Sequence, residues 1–282
     1  MFASVVIGGA ITSCAVASGA GQMLGERTIA MWWSMALSSV VALPLLRLQP
    51  VSPGAVWPYV LPSALCEVIY FVLLMAAYRS GEFSLVYPIA RGATPALVAL
   101  GSVLFLGERL GPFGLLGLGL IVAGLAVVGS SAWLARREQK LEWLGIALAL
   151  GAAVFIAFYT VIDGAAVKHN PPAPYTELIF LAMTLGLAPL VVGRYGWREV
   201  LAQGRAHWPR LALTALLMFG AYALVLAVYS VAQVSYAGAL REVSIVLAAL
   251  AGWLLLGEDL GRVRVVGSLV VFAGIVLIAM LG

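Results

Sequence analysis

Ten apolar runs, each close to twenty residues, follow one another along this chain with connections too short to fold alone. They cover roughly 2–24, 28–46, 57–78, 83–106, 111–134, 142–162, 175–193, 210–231, 234–256 and 263–281. A helix of about twenty apolar residues matches the ~30 Å hydrocarbon core of a bilayer. In lipid every backbone N–H and C=O needs a partner within the protein, which at this segment length leaves helices. The expectation is an all-α membrane protein with ten transmembrane helices. Only 10% of its residues are charged, against about a quarter in soluble domains. The longest polar stretches, 135–142 and 193–210, are too small to form a domain and read as connections. No Lys or Arg precedes the first apolar run and no small-residue cleavage site closes it, so it reads as a spanning helix rather than a secretion signal. Cys14 and Cys66 both lie in apolar runs and imply no disulfide framework.

Arg and Lys are unequally shared between alternate connections. One set holds Arg27, Arg79, Arg136, Arg137, Lys140, Arg194, Arg198, Arg205, Arg210, Arg262 and Arg264; the other holds Arg47, Arg109 and Lys168. The positive-inside rule places the first set in the cytoplasm and both termini outside, in a plasma (inner) membrane. Basic residues dispersed in this way form no patch for nucleic acid.

Shifting the chain by 150 residues places Arg91 on Arg241 and Gly107-Glu108 on Gly257-Glu258. The same shift, without a gap, pairs Leu97, Leu110, Gly111, Gly117, Ala123 and Gly124 with Leu247, Leu260, Gly261, Gly267, Ala273 and Gly274. Two halves of five helices, 1–134 and 135–282, must enter the membrane with opposite orientations because five is odd. Inverted repeats are a common architecture of secondary transporters, with the substrate near the midplane between the halves.

The segments AYRSGEFSLVYPIARG (77–92), FLGERLGPFGLLGLGLIVAG (105–124), AFYTVIDGAAV (157–167), ALREVSIVLAALAGWLLLGEDL (239–260) and GSLVVFAGIVLI (267–278) carry a further likeness. With the ten-helix pattern, they resemble the EamA-type branch of the drug/metabolite transporter superfamily over essentially the whole chain. The resemblance implies a carrier of small metabolites, often outward, without a cofactor. It further implies a cavity lined chiefly by the third, fourth, sixth, eighth and ninth spans, with the fifth and tenth as buttresses. The first span, with ITSCAVASGAG, lacks the polar and aromatic residues of many relatives.

Arg91 lies about 12 Å of helix rise into its run, between Pro88 and Pro95. Each proline removes a donor, freeing the carbonyls of Ser84 and Arg91. A charge and loosened backbone at membrane depth belong in a polar interior. Ser84, Tyr87, Arg91, Thr94 and Pro95 share a face. The duplicated Arg241 has no matching prolines. An Arg fork suits carboxylate or phosphate, so Arg91 and Arg241 are candidate substrate residues with Ser84, Tyr87 and Tyr159; the alternative is a structural pairing with a Glu. Glu67, in mid-span, is either a proton carrier or an ionised partner of Arg91 or Arg241. Glu242 is either a partner of Arg91 or an orienting group for a neighbouring helix.

The remaining polar residues point to structure. Asp163 shares a face with Tyr159 near a helix end and reads as a cap or interfacial group. Tyr222 and Tyr229 read as packing or interfacial aromatics, and Trp32, Trp33, Trp57, Trp133, Trp143, Trp197 and Trp208 as interface anchors. Glu108 and Glu258 follow a glycine and fall near the next helix start. Gly111, Gly114, Gly117, Gly124, Gly267 and Gly274 allow close packing of the fifth and tenth spans. His169 and His207 sit beside prolines in connections, without a ligand cluster, and no phosphate-binding loop, HExxH or GxSxG occurs. A nucleotide-driven pump is excluded for this chain alone.

The reading is a secondary transporter, most simply an exporter, of a small polar metabolite with an anionic group, such as an amino acid or organic phosphate. Its partners are that substrate and the bilayer, and a homodimer stays open. The competing reading is a membrane-embedded enzyme or non-transporting receptor on the same fold.

Overall fold

The computed structural model describes residues 24–80, 83–109, 111–135, 143–241 and 261–281. All regular structure among the described residues is helical. The helices are α1 (Leu24–Leu48), α2 (Pro53–Ser80), α3 (Phe83–Leu106), α4 (Pro112–Ala135), α5 (Trp143–Ala166), α6 (Pro172–Tyr195), α7 (Trp197–Val231), α8 (Val234–Arg241) and α9 (Gly261–Leu281). Among the described residues, four stretches are long and apolar enough to cross a membrane: Pro53–Ala77, Trp143–Ala166, Pro172–Tyr195 and Trp197–Val231. Gly92–Leu106, Pro112–Gly124 and Val265–Ile278 are apolar stretches within α3, α4 and α9. Leu104, Phe105, Leu144 and Leu185 are each more than 60% exposed, a pattern that suits lipid rather than water. The first predicted span and most of the ninth, with Glu242 and Glu258, lie outside the described residues.

The described chain forms two compact units. One joins 24–68 to 162–231; the other joins 69–161 to 232–281. In the first, α1 packs on α6 and α7, and α6 packs on α7. Trp32 Nε1 donates to the Thr184 carbonyl at 3.0 Å, and Trp33 Nε1 to that of Val200 at 2.7 Å. Ser38 Oγ reaches the Ala215 carbonyl at 2.9 Å. These two tryptophans are therefore internal struts rather than interface anchors, because each indole N–H finds an acceptor on another helix. Trp57, Trp143, Trp197 and Trp208 keep the exposure expected of anchors.

The connection expected over 193–210 is mostly helix. Gly196, at φ 80°, is the joint after α6, and α7 then runs for 35 residues, roughly 52 Å, well beyond the ~30 Å core. Its first turns contain Ala, Leu, Glu, Gln and Arg, good helix formers, and they are steadied by Trp33. Trp33 packs so closely on Gly204 that a Cβ there would lie 2.6 Å from the ring. His207 consequently sits on a helix, not in a loop.

In the second unit α4 packs along α9, and α3 contacts α4 and α8. A Cβ on Gly117 would lie 2.6 Å from the Gly274 oxygen, and one on Gly124 would lie 2.7 Å from that of Gly267. Close backbone approach at small residues is how helices pack tightly without a hydrophobic drive from lipid. Ile121, Val271, Ile275 and Ile278 fill the same seam. The register has a further property. Gly117 and Gly124 correspond to Gly267 and Gly274 under the 150-residue shift, and each meets the counterpart of the other. That reciprocal pairing is the signature of a two-fold axis, so α4 and α9 cross antiparallel as an inverted pair.

Helix α3 continues from Phe83 to Leu106 across both prolines, so the loosened backbone expected there does not end the helix. Thr94 Oγ1 donates to the Ala90 carbonyl at 2.8 Å. After α3, Gly107 takes φ 67° and Glu108 reaches a helix start, though not the next one in sequence. Its carboxylate accepts from Val234 N–H (2.7 Å), Ser235 N–H (3.1 Å) and Ser235 Oγ (2.5 Å), capping α8. Glu108→Ala is expected to cost about 1–2 kcal/mol, the range for a lost N-cap. Thermal unfolding of the purified protein would show it, with Glu108→Gln losing less.

Candidate functional site

The site builds from the α5–α6 hairpin. The tight turn at 167–170 is closed by Asn170, whose Nδ2 donates to the Ala166 carbonyl at 3.0 Å, and Pro171, at φ −59°, then precedes Pro172 at the start of α6. This turn brings Tyr175 back to Asp163, with its hydroxyl 2.7 Å from Oδ1. From α2, Ser63 and Glu67 sit one turn apart on one face. Ser63 Oγ donates to the same Asp163 oxygen at 2.5 Å. From α7, the Tyr222 hydroxyl lies 2.5 Å from Asp163 Oδ2 and 2.7 Å from Glu67 Oε1. The Tyr222 ring is held against Phe180, with centroids 5.5 Å apart, and Phe180 meets Phe219 edge-on. Ser63, Glu67, Asp163 and Tyr175 are all at least 95% buried.

Polar groups so buried are normally hydrogen-bonded, and these bond to one another. Asp163 is therefore the hub of a network spanning four helices, not the cap or interfacial group its position near a helix end suggests. Tyr222 acts through its hydroxyl as well as its ring. Glu67 is engaged by Tyr222. Tyr159, one turn before Asp163 on α5, belongs to the second unit, where it is 7% exposed and its ring faces Tyr70 at 6.1 Å. The side chains of Ser84, Tyr87, Arg91 and Arg241 lie outside the described residues, as does Glu242 altogether.

Sequence reasoning assigned no role to Ser63, Tyr175 or Glu177. Glu177, on α6, is fully buried, and among the described residues neither carboxyl oxygen has a hydrogen-bond partner. An acidic residue inside the apolar run 175–193 is the signal that could have found it.

Comparison with known proteins decides the family. The model of the EamA-like transporter family matches residues 3–130 and again residues 143–280. The chain belongs to the EamA-like transporter family. Similar proteins include "Uncharacterized transporter YwfM" of Bacillus subtilis (strain 168), 26% identical over 48% of this chain and 44% of that protein. "Uncharacterized transporter YvbV" of the same organism is 27% identical over 66% of this chain and 57% of its own length. "Multidrug transporter PA4990" of Pseudomonas aeruginosa is 39% identical over 22% of this chain and 56% of its own. The chain thus spans about half the length of the curated relatives it matches. A solved crystal structure superposes with a TM-score of 0.71 at 16% identity, covering 100% of this chain and 97% of its own, which extends the likeness to the fold. As an EamA-like transporter, this protein is a multi-pass membrane protein whose family points to transport rather than catalysis.

Proposed function

We propose that this EamA-like protein is a secondary transporter that moves a small polar metabolite with an anionic group, such as an amino acid or organic phosphate, outward by alternating access. Its frame is ten helices in two inverted five-helix repeats, 1–134 and 135–282, in a plasma (inner) membrane with both termini outside. The observation that carries the reading is the buried carboxylate–hydroxyl network of Ser63, Glu67, Asp163, Tyr175 and Tyr222. Ionisable groups within the membrane are expensive and mark substrate or ion pathways. The anionic group is supported by the sequence: Arg91 and Arg241 are related by the repeat, and guanidinium forks match carboxylate and phosphate. Ser84, Tyr87 and Tyr159 complete the proposed substrate contacts, and Glu242 pairs with Arg91 or orders a neighbouring helix.

Uptake of labelled amino acids and organic phosphates into proteoliposomes tests this. Arg91→Ala and Arg241→Ala are each expected to weaken uptake by roughly tenfold to a hundredfold, the loss of one charged hydrogen-bonding partner. Wild-type rates in both variants would refute the two-arginine site.

A further inference from the structure

Four close oxygen–oxygen contacts hold the buried network, and its three hydroxyls supply three hydrogens. Ser63 and Tyr175 each give one to Asp163 Oδ1. Tyr222 has a single hydrogen but touches both Asp163 Oδ2 and Glu67 Oε1. An ionised carboxylate can only accept. With both carboxyls ionised, one Tyr222 contact would press lone pairs together with no hydrogen between them. The fourth hydrogen therefore belongs to a carboxyl. Asp163 already accepts two hydroxyls at one oxygen, which suits the anion, so Glu67 is the donor, into the Tyr222 oxygen.

We propose that Glu67, Tyr222 and Asp163 share one exchangeable proton, and that it is the coupling ion of the transport cycle; this second clause rests on the transporter reading above. In the transfer, the Glu67 O–H bond breaks and its proton passes to Tyr222 oxygen. The hydrogen already on Tyr222 passes to Asp163 Oδ2. Glu67 is left as carboxylate and Asp163 as carboxylic acid, with no heavy-atom movement and no further reactant. Titratable groups facing the relay among the described residues include Cys66 beside Glu67 on α2, which lies within electrostatic reach of both carboxyls, and Tyr175 on α6. Glu177 is also on α6 but points about 200° away from Tyr175 around the helix.

Infrared difference spectroscopy of the full-length protein in lipid, titrated between acid and alkali, reads the proton directly. Every sample carries Glu177→Gln, because Glu177 is another buried carboxyl. One protonated-carboxyl C=O band is expected near neutral pH, disappearing in alkali. It is absent in Glu67→Gln and displaced in frequency in Tyr222→Phe, which keeps the ring should the first variant fold poorly. No such band near neutral pH, or a band indifferent to both substitutions, overturns the shared proton. For coupling, the substrate panel above is offered across an imposed gradient of about one pH unit, worth roughly tenfold in accumulation for one proton per turnover. The unsubstituted protein should accumulate substrate and Glu67→Gln should only equilibrate it. Movement insensitive to the gradient overturns coupling while the transporter reading stands. If nothing moves in any sample, transport and coupling fall together, and the infrared band alone decides the shared proton.

Discussion

Gly124→Leu is expected to force α4 away from α9 and to cost about 3 kcal/mol or more in stability, the upper end of overpacking in a filled seam. The obstacle is not a side chain that can swing aside. Even a single Cβ at 124 would stand 2.7 Å from the Gly267 oxygen and from the Val271 nitrogen, both backbone atoms of the opposing helix. Gly117→Leu should behave alike, since its Cβ would meet the Gly274 oxygen at 2.6 Å. The two sites share one seam and one pseudo-two-fold, so their effects should couple: once the first leucine has parted the helices, the second costs less than it does alone. Gly119 is the control. It lies on the same helix, and among the described residues no atom beyond its own helix backbone comes within 4 Å of its would-be Cβ, so Gly119→Ala should be neutral or slightly stabilising through helix propensity. Unfolding midpoints of the four variants in one detergent check all of this. Equal effects at 119 and 124 would show that backbone flexibility, not close approach, is what these glycines supply.

The same seam shows which parts of this protein can be read without coordinates. Apolar length gives the described helices, because lipid allows little besides helix over such runs. The 150-residue repeat marks the glycines that let the fifth and tenth spans pack closely, while which glycine meets which comes from the structure. The stretch 193–210 defeats the same reasoning. It is polar, so hydropathy treats it as a connection, yet a helix can leave the membrane and continue when Trp33 packs on Gly204 and donates to Val200. The buried network is legible only in pieces. Glu67 stands out as a charge in mid-span, and Asp163 to Tyr175 is a short hairpin contact. The links from Asp163 to Ser63 and to Tyr222 join residues 100 and 59 positions apart. No spacing rule along one helix reports such links. A tyrosine among apolar residues likewise gives no sign of whether its hydroxyl has a partner.

Asp163→Ala separates the hub from the cap. A group that merely finishes α5 near the interface would cost less than about 1 kcal/mol when truncated. A hub leaves the buried hydroxyls of Ser63 and Tyr175 without their acceptor, and each orphaned donor costs about 1–3 kcal/mol. We expect a loss of roughly 3 kcal/mol or more, read as a large fall in the unfolding midpoint, together with loss of transport. Asp163→Asn should recover only part of the loss, because its amide end donates where Tyr222 or the other hydroxyls also donate. The decisive comparison adds Ser63→Ala and Tyr175→Phe to Asp163→Ala. Removing both sides of a buried hydrogen bond can be nearly neutral where removing one side is not. The triple variant should therefore be more stable than Asp163→Ala alone, yet remain inactive, because the carboxylate that closes the relay with Tyr222 is gone. A triple variant less stable than the single one would mean that Ser63 and Tyr175 contribute through packing, and that Asp163 is not the acceptor holding these four helices together.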